Sequence, residues 1–303
     1  MLHKARRLWP LWTKTLTPRW TLDLGALVDL PSGYWPANPS LTRVDGGYLA
    51  SVRGLNYVYA DPRRLVPTFT AGSDYHSVVR LLLLDDRLRP VRPLAALSDQ
   101  LSGLEDLRLF QHQDRTFAVA SAPRDGGCHM CLVELDLAHE RATVTPLASP
   151  FGLRKEKNWC PYSDGEHIRF LYASAPRIVL RYVPGDTRLP LEADAARPPH
   201  TFLDSGSTPG QPLAGATVFV AHRRRVRMPQ RDYVYASRLV ALVPRDARVR
   251  RSPYFSLGPP TLQFISGLTL HDDDVVLAYG VRDREAWLAG LDRTRFFAAL
   301  PLA

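Results

Sequence analysis

Three short stretches of this chain concentrate charged and hydrogen-bonding residues inside strand-like sequence. They are Gly103-Leu104-Glu105-Asp106-Leu107-Arg108, Arg154-Lys155-Glu156-Lys157-Asn158-Trp159 and Tyr279-Gly280-Val281-Arg282-Asp283. Arg53 precedes them, and His222 lies between the second and the third. Carboxyl groups set among guanidinium, ammonium and imidazole groups can manage a proton while the cations hold an anion. Lysine occurs only at positions 4, 14, 155 and 157, the other 35 of the 39 basic residues being Arg. Two of the four lysines thus share one motif, which suits a position that needs a compact, flexible point charge rather than a planar fork. A chance cluster of solvated charge is the alternative.

These groups act together only if the fold gathers them. One residue from each cluster, at 53, 106, 157, 222 and 279, gives separations of 53, 51, 65 and 57. A period of that length in all-β sequence marks a propeller, one blade per repeat. Short apolar or alternating runs predict strands at 47–52, 57–60, 78–84, 107–111, 117–122, 130–135, 168–174, 178–183, 217–222, 234–243, 263–270 and 275–281. Asp45-Gly46-Gly47, Asp125-Gly126-Gly127, Ser163-Asp164-Gly165 and Asp272-Asp273-Asp274 read as hairpin turns. The expected fold is therefore an all-β five-bladed propeller over 38–303, with blades at about 38–100, 101–150, 151–190, 210–257 and 260–300. Residues 1–37 would close the ring or cover one face, and the Pro/Gly/Ser-rich connection 184–215 reads as a long loop, a lid or acceptor-binding segment.

The 303 residues carry a formal charge of +9 and are 45% hydrophobic, enough for a large core and favourable to anionic partners. The basic residues form no long tract, so no nucleic acid partner is expected. Cys128, Cys131 and Cys160 make no disulfide framework, which points to a reducing, cytoplasmic setting. The spacing of Cys128 and Cys131 lacks the further ligands of a zinc site, and alternation sends the two to opposite faces. Asp272-Asp273-Asp274 reads better as a turn than as a metal motif, so neither metal nor cofactor is expected. No run approaches the roughly 20 apolar residues of a membrane span. Trp9, Trp12 and Trp20 among Lys4, Arg6, Arg7, Lys14 and Arg19 read as packing across blades, with contact at a membrane surface as the alternative.

Glu105-Asp106-Leu107-Arg108 resembles the Glu-Asp-Pro-Arg signature of glycoside hydrolase family 130, the β-mannoside phosphorylases and hydrolases. Lys155 to Pro161 resembles that family's Lys-Asn segment followed by Pro. His222 after an apolar strand, and Tyr279-Gly280 with Asp283, resemble its later His and its Tyr-Gly-Ala-Ala-Asp element. Asn38-Pro39 and Arg53 resemble its opening Asn-Pro and first-blade Arg. The chain departs from the pattern at Leu107, at Val281-Arg282 and at Trp159. The resemblance implies a five-bladed propeller that transfers a glycosyl group, mannosyl in that family, between a glycan acceptor and phosphate, a sugar phosphate or a nucleotide sugar, with inversion.

By that resemblance Asp106 is the general acid or base, working through a sugar hydroxyl. Transfer to or from phosphate also needs a cationic cradle, for which Arg53, Lys157 and His222 are the expected members, with Arg154 and Lys155 beside them. Arg223, Arg224 and Arg225 after His222 suggest a basic mouth or a solvated charge run. Asn38, Glu105, Arg108, Asn158, Tyr279 and Asp283 are expected to bind sugar. Glu105 should alternate to the face opposite Asp106, where it binds sugar or orients Arg108. The competing readings are a structural ion pair for Glu105, Asp106 and Arg108, a turn cap for Asp283, and a noncatalytic propeller that binds carbohydrate or protein.

Overall fold

The computed structural model describes residues 13–59, 66–124, 127–186, 189–192, 204–213, 215–227, 232–243, 249–259 and 261–302. Positions 1–12, the turn residues Asp125 and Gly126, and positions 187, 188, 193–203 and 214 of the long connection lie outside them. The chain is all-β and propeller-like, built from successive antiparallel sheets. The first contains Trp35–Val44, Gly47–Leu55, Ser77–Leu84 and Pro90–Pro93 in that order. The second contains Glu105–His112, Arg115–Arg124, Gly127–Asp136 and Arg141–Leu147. Cys160–Ser163, Ile168–Ser174 and Arg177–Arg181 form the third.

A seven-stranded sheet follows, centred on Ala216–Arg227 and Asp232–Leu242. Ser205–Gly206 and Gln211–Leu213, from the connection expected to be a loop, pair with the first of these strands. The final sheet joins Gln263–His271, Asp274–Val281 and Glu285–Asp292 to Trp20–Asp23 from near the N-terminus. The buried carboxylate of Asp274 pins that early strand, accepting from Trp20 Nε1 at 2.7 Å and Arg19 Nη1 at 3.0 Å.

The core explains the sequence texture. Apolar residues fill the spaces between first and second, second and third, third and fourth, fourth and last, and last and first sheets. Middle strands are covered on both faces, which is why Val275-Val276-Leu277-Ala278 is uninterrupted and wholly buried. Outer strands meet solvent, and Arg141–Leu147 is mostly exposed. The first strands of the sheets touch one another: Trp35–Val44 packs against Glu105–His112 and Gln263–His271, and Glu105–His112 against Cys160–Ser163. These inner strands therefore bring the polar clusters together.

Five four-stranded blades were expected, and four sheets reach four strands or more. The third has three, and only the bridge between Leu180 and Leu191 extends its outer edge among the described residues. Pro184 and Pro190 lack the amide donors a further strand would use there, and the chain turns at Gly185.

Candidate active site

Two β-bulges set the geometry of the site. In Trp35–Val44 the pairing passes from Ala37 opposite Arg53 to Ser40 opposite Ser51, so one extra residue is accommodated, and Asn38 lies at φ +41°. In Glu105–His112 the pairing passes from Glu105 opposite Ser121 to Arg108 opposite Val119, with Asp106 at φ +55°. Asn158, just before Cys160–Ser163, lies at φ +65°. Asn and Asp tolerate this left-handed conformation better than other side chains, so the residue types permit the bulges. A bulge re-aims side chains. The expected alternation of Glu105 and Asp106 is therefore corrected: Arg53 reaches both, through Nη2 to Glu105 Oε1 and Nη1 to Asp106 Oδ1, each at 2.8 Å.

Asp106 sits at the centre. Its Oδ1 also accepts from Asn38 Nδ2 at 2.8 Å. Burial alone would raise its pKa, but Arg53, then Arg108 and Lys157, together with the Asn38 hydrogen bond, hold the carboxyl well below the ordinary range. Arg108 is fully buried, donating from Nε to the Ser207 carbonyl at 2.5 Å and from Nη2 to Asn158 Oδ1 at 2.9 Å. Lys157, partly exposed at 42%, donates to Glu105 Oε2 at 2.7 Å. Glu105 and Asp106 keep its ammonium charged against the cost of burial.

His222 is brought to the same cluster by Ala216–Arg227. Its Nδ1 lies 2.7 Å from the Ser207 hydroxyl, and its ring packs against Tyr235 and Phe264 at 4.9 and 5.0 Å. Burial, assisted by Arg108, lowers it to about 4, so at neutral pH it contributes hydrogen bonding and no positive charge. Arg154 and Lys155 are exposed and join through their peptide groups the strand at Cys128; neither side chain enters the cluster among the described residues. Arg223 pairs instead with the buried carboxylate of Asp204 at 2.9 Å.

Tyr279 is also redirected. It packs into the core between the fourth and last sheets with Val218, Val220 and Phe255, away from Asp106. Its neighbour Gly280 faces the site, where a Cβ would lie 2.8 Å from Asn38 N and 2.9 Å from Asn38 Oδ1. The small residue is thus required by the close approach of Asn38, and the hydroxyl of Tyr279 points elsewhere. Asp283, in the following turn at φ +53°, does face the cluster. Desolvation raises it to about 6, with Arg53 opposing and Asp106 reinforcing the shift.

Asp283 has a consequence for stability. A carboxyl near 6 when folded and near 4 when unfolded contributes stability below the unfolded value that is lost as pH rises through 6. Asp283→Asn should therefore raise the thermal midpoint at pH 8, by up to about 3 kcal/mol in stability, and the gain should vanish by pH 4. An equal gain at both pH values would assign it to something other than the buried charge.

Tyr57, Tyr59, Tyr235, Phe264 and Ser207 were not singled out by sequence. Burial raises Tyr57, Arg53 opposes, and Asp283 and Asp106 act on the same hydroxyl. In the sequence, positions 53, 55, 57 and 59 alternate as they would on one face of a strand, a signal that could have linked Tyr57 and Tyr59 to Arg53, although the chain bends at Asn56. Ser207 lies within the connection read as a loop and carries no such signal. Among the described residues, no three His, Cys, Asp or Glu side chains assemble a metal site, and no helix is long and apolar enough to cross a membrane.

The ring-like set of sheets has a distant glycoside hydrolase family 130-like fold. The chain is similar to a β-1,2-mannobiose phosphorylase from Listeria innocua solved with β-1,2-mannobiose, at TM-score 0.62 and 15% identity, over 90% of this chain and 94% of that one. It is similar to a mannose phosphorylase from Leishmania mexicana solved with phosphate ion, at TM-score 0.56 and 14% identity, over 89% of this chain and 87% of that one. A structure described with hydrolases that target β-1,2 mannosidic linkages in Candida mannan matches at TM-score 0.60 and 14% identity, over 95% and 96% of the two chains. No protein-family model matches the sequence, and no curated protein matches it.

Proposed function

We propose that this chain is a glycoside-processing enzyme, an inverting phosphorylase or glycosyltransferase that moves a mannosyl group between a glycan acceptor and phosphate or a phosphate-bearing donor. The observation that carries the reading is Asp106, bound by Arg53 and Asn38 and flanked by Arg108, with the charge of Lys157 at the accessible edge. Among the described residues, Asn38 Oδ1, Arg53 Nε and Arg108 Nη1 are buried without a hydrogen-bond partner. Buried polar atoms left unpaired are costly, and sugar hydroxyls or phosphate oxygens would satisfy them.

We count the third, three-stranded sheet as a blade, giving five, with Trp20–Asp23 closing the ring. In the direction of transfer from a sugar phosphate, the ionised Asp106 takes the proton of the acceptor hydroxyl, directly or through a sugar hydroxyl. The acceptor oxygen attacks C1, the bond from C1 to the phosphate oxygen breaks, and phosphate leaves with its electron pair. In phosphorolysis the same steps run backwards: a phosphate oxygen attacks C1, the bond from C1 to the glycan oxygen breaks, and protonated Asp106 gives its proton to that departing oxygen, directly or through a sugar hydroxyl. Lys157 and Arg53 hold the phosphate, Asn38, Asn158 and Asp283 the sugar, and Arg108 fixes Asn158. The buried free thiols of Cys128, Cys131 and Cys160 fit a cytoplasmic setting.

Lys157→Ala should weaken inorganic phosphate by about 1.5 to 3 kcal/mol, the range of a charge-assisted hydrogen bond, which is roughly a ten- to hundredfold rise in Kd. Calorimetric titration checks this against Lys155→Ala, which should bind as the parent does. Equal phosphate affinity in all three proteins would remove the anion cradle and leave a carbohydrate-binding module.

A further inference from the structure

We infer that the aromatic side chains of the hairpin Tyr57–Tyr59 and Pro67–Phe69, together with Tyr75, form a platform that stacks a saccharide ring of the acceptor. The inference rests on the proposed function and adds the recognition of a second sugar. Tyr75 is 62% exposed, yet it is not a loose surface ring. It meets Tyr57 and Phe69 edge to face, with centroids at 5.1 and 5.2 Å. Tyr57 in turn meets Tyr59 at 5.6 Å.

The backbone that carries Tyr75 is held on both sides by one buried side chain. Asn56 donates from Nδ2 to the carbonyls of Ala71 and Asp74, each at 2.7 Å, and its Oδ1 accepts from the His76 amide at 2.9 Å. His76 is held further by Tyr34 Oη, 2.7 Å from Nδ1. Holding Asp74 and His76 fixes the residue between them. A ring presented in advance of binding loses little conformational entropy when a ligand arrives.

The platform is continuous with the catalytic cluster. The chain bends at Asn56 between Arg53 and Tyr57, yet the Tyr57 hydroxyl stays near enough to Arg53 to interact with its charge, and Tyr59 and Asp283 both lie near enough to Tyr235 to influence its hydroxyl. Lys157 meets the cluster through Glu105, whereas Tyr57 and Tyr59 are near enough to Arg53 and Asp283 for those charges to act on their hydroxyls. Phosphate held by Lys157 and a ring held by Tyr75 would therefore flank the reacting carbon from different directions. A pyranose offers C–H groups to the electron-rich ring face while its hydroxyls reach the polar floor. The acceptor chemistry that fits is a disaccharide or longer glycan.

Isothermal titration of the full chain with β-1,2-mannobiose, inorganic phosphate and GDP-mannose tests this. Tyr75→Ala should weaken mannobiose roughly three- to tenfold, the scale of one aromatic stacking contact, and leave phosphate unchanged. Tyr75→Phe keeps the ring and should stay within about twofold of the parent, as should Val66→Ala beside the hairpin. Parental mannobiose affinity in Tyr75→Ala, with phosphate binding intact, would overturn the platform while the proposed function stands. Loss of GDP-mannose affinity alone would give the ring to a nucleobase and overturn it as well. If the unmodified protein binds neither phosphate nor mannobiose, the proposed function itself falls, and the platform with it.

Discussion

Asp106→Asn is expected to lower turnover by roughly 10² to 10⁴, the usual range for loss of a positioned acid or base, while the fold persists. The amide oxygen of Asn can still accept from Arg53 and Asn38, so the geometry around the bulge has a replacement for each hydrogen bond. What disappears is the ability to take or give the proton. Because Arg53, Arg108 and Lys157 hold the resting carboxyl ionised, transfer from mannose 1-phosphate should keep its rate well into the acidic range. Phosphorolysis, which needs the protonated form, should instead gain as pH falls. Phosphate release from mannose 1-phosphate in the presence of mannose or mannobiose measures the first direction. Near-normal turnover in Asp106→Asn would move the proton to Glu105 or Asp283.

Arg53→Met is expected to cost about 3 to 5 kcal/mol of stability, the effect of breaking a buried ion pair from one side. Arg53 is 8% exposed and faces Glu105 and Asp106 together. Its loss leaves Glu105 with Lys157 and Asp106 with Asn38, too little to offset two desolvated carboxylates. The pH dependence has a definite sign. Asp106, held low in the folded state, contributes stability that is present above the ordinary carboxylate pKa and lost as pH falls. The gap between the parent and Arg53→Met should therefore narrow below about pH 4. Arg92→Met, at a surface pair with Glu140 in which Arg92 is 47% exposed, should cost less than about 1 kcal/mol. Urea unfolding of the three proteins at pH 7 and pH 3.5 decides it, and similar losses for Arg53→Met and Arg92→Met would show that the central pair is no more than a solvated one.

The recurrence of polar clusters and the two-residue periodicity are legible in the chain itself. Runs such as Val78 to Leu84 and Val275 to Val281 become strands because apolar residues covered on both faces can be satisfied only by packed sheets. Arg53, Asp106, Lys157, His222 and Asp283 are gathered because the sheets converge on one another, although Arg53 and His222 stand on second strands and Asp283 in a turn. Tertiary structure alone decides which face each side chain takes. Simple alternation separates Glu105 from Asp106, yet a bulge with Asp106 at φ +55° puts both against Arg53. Tyr279 goes to the core because Gly280 must make room for Asn38. His222 loses its charge because its ring is buried beside Arg108. Residue type limits what a position can do, but register, burial and neighbouring charge depend on contacts between segments far apart in the chain, and these exist only once the sheets have closed on one another.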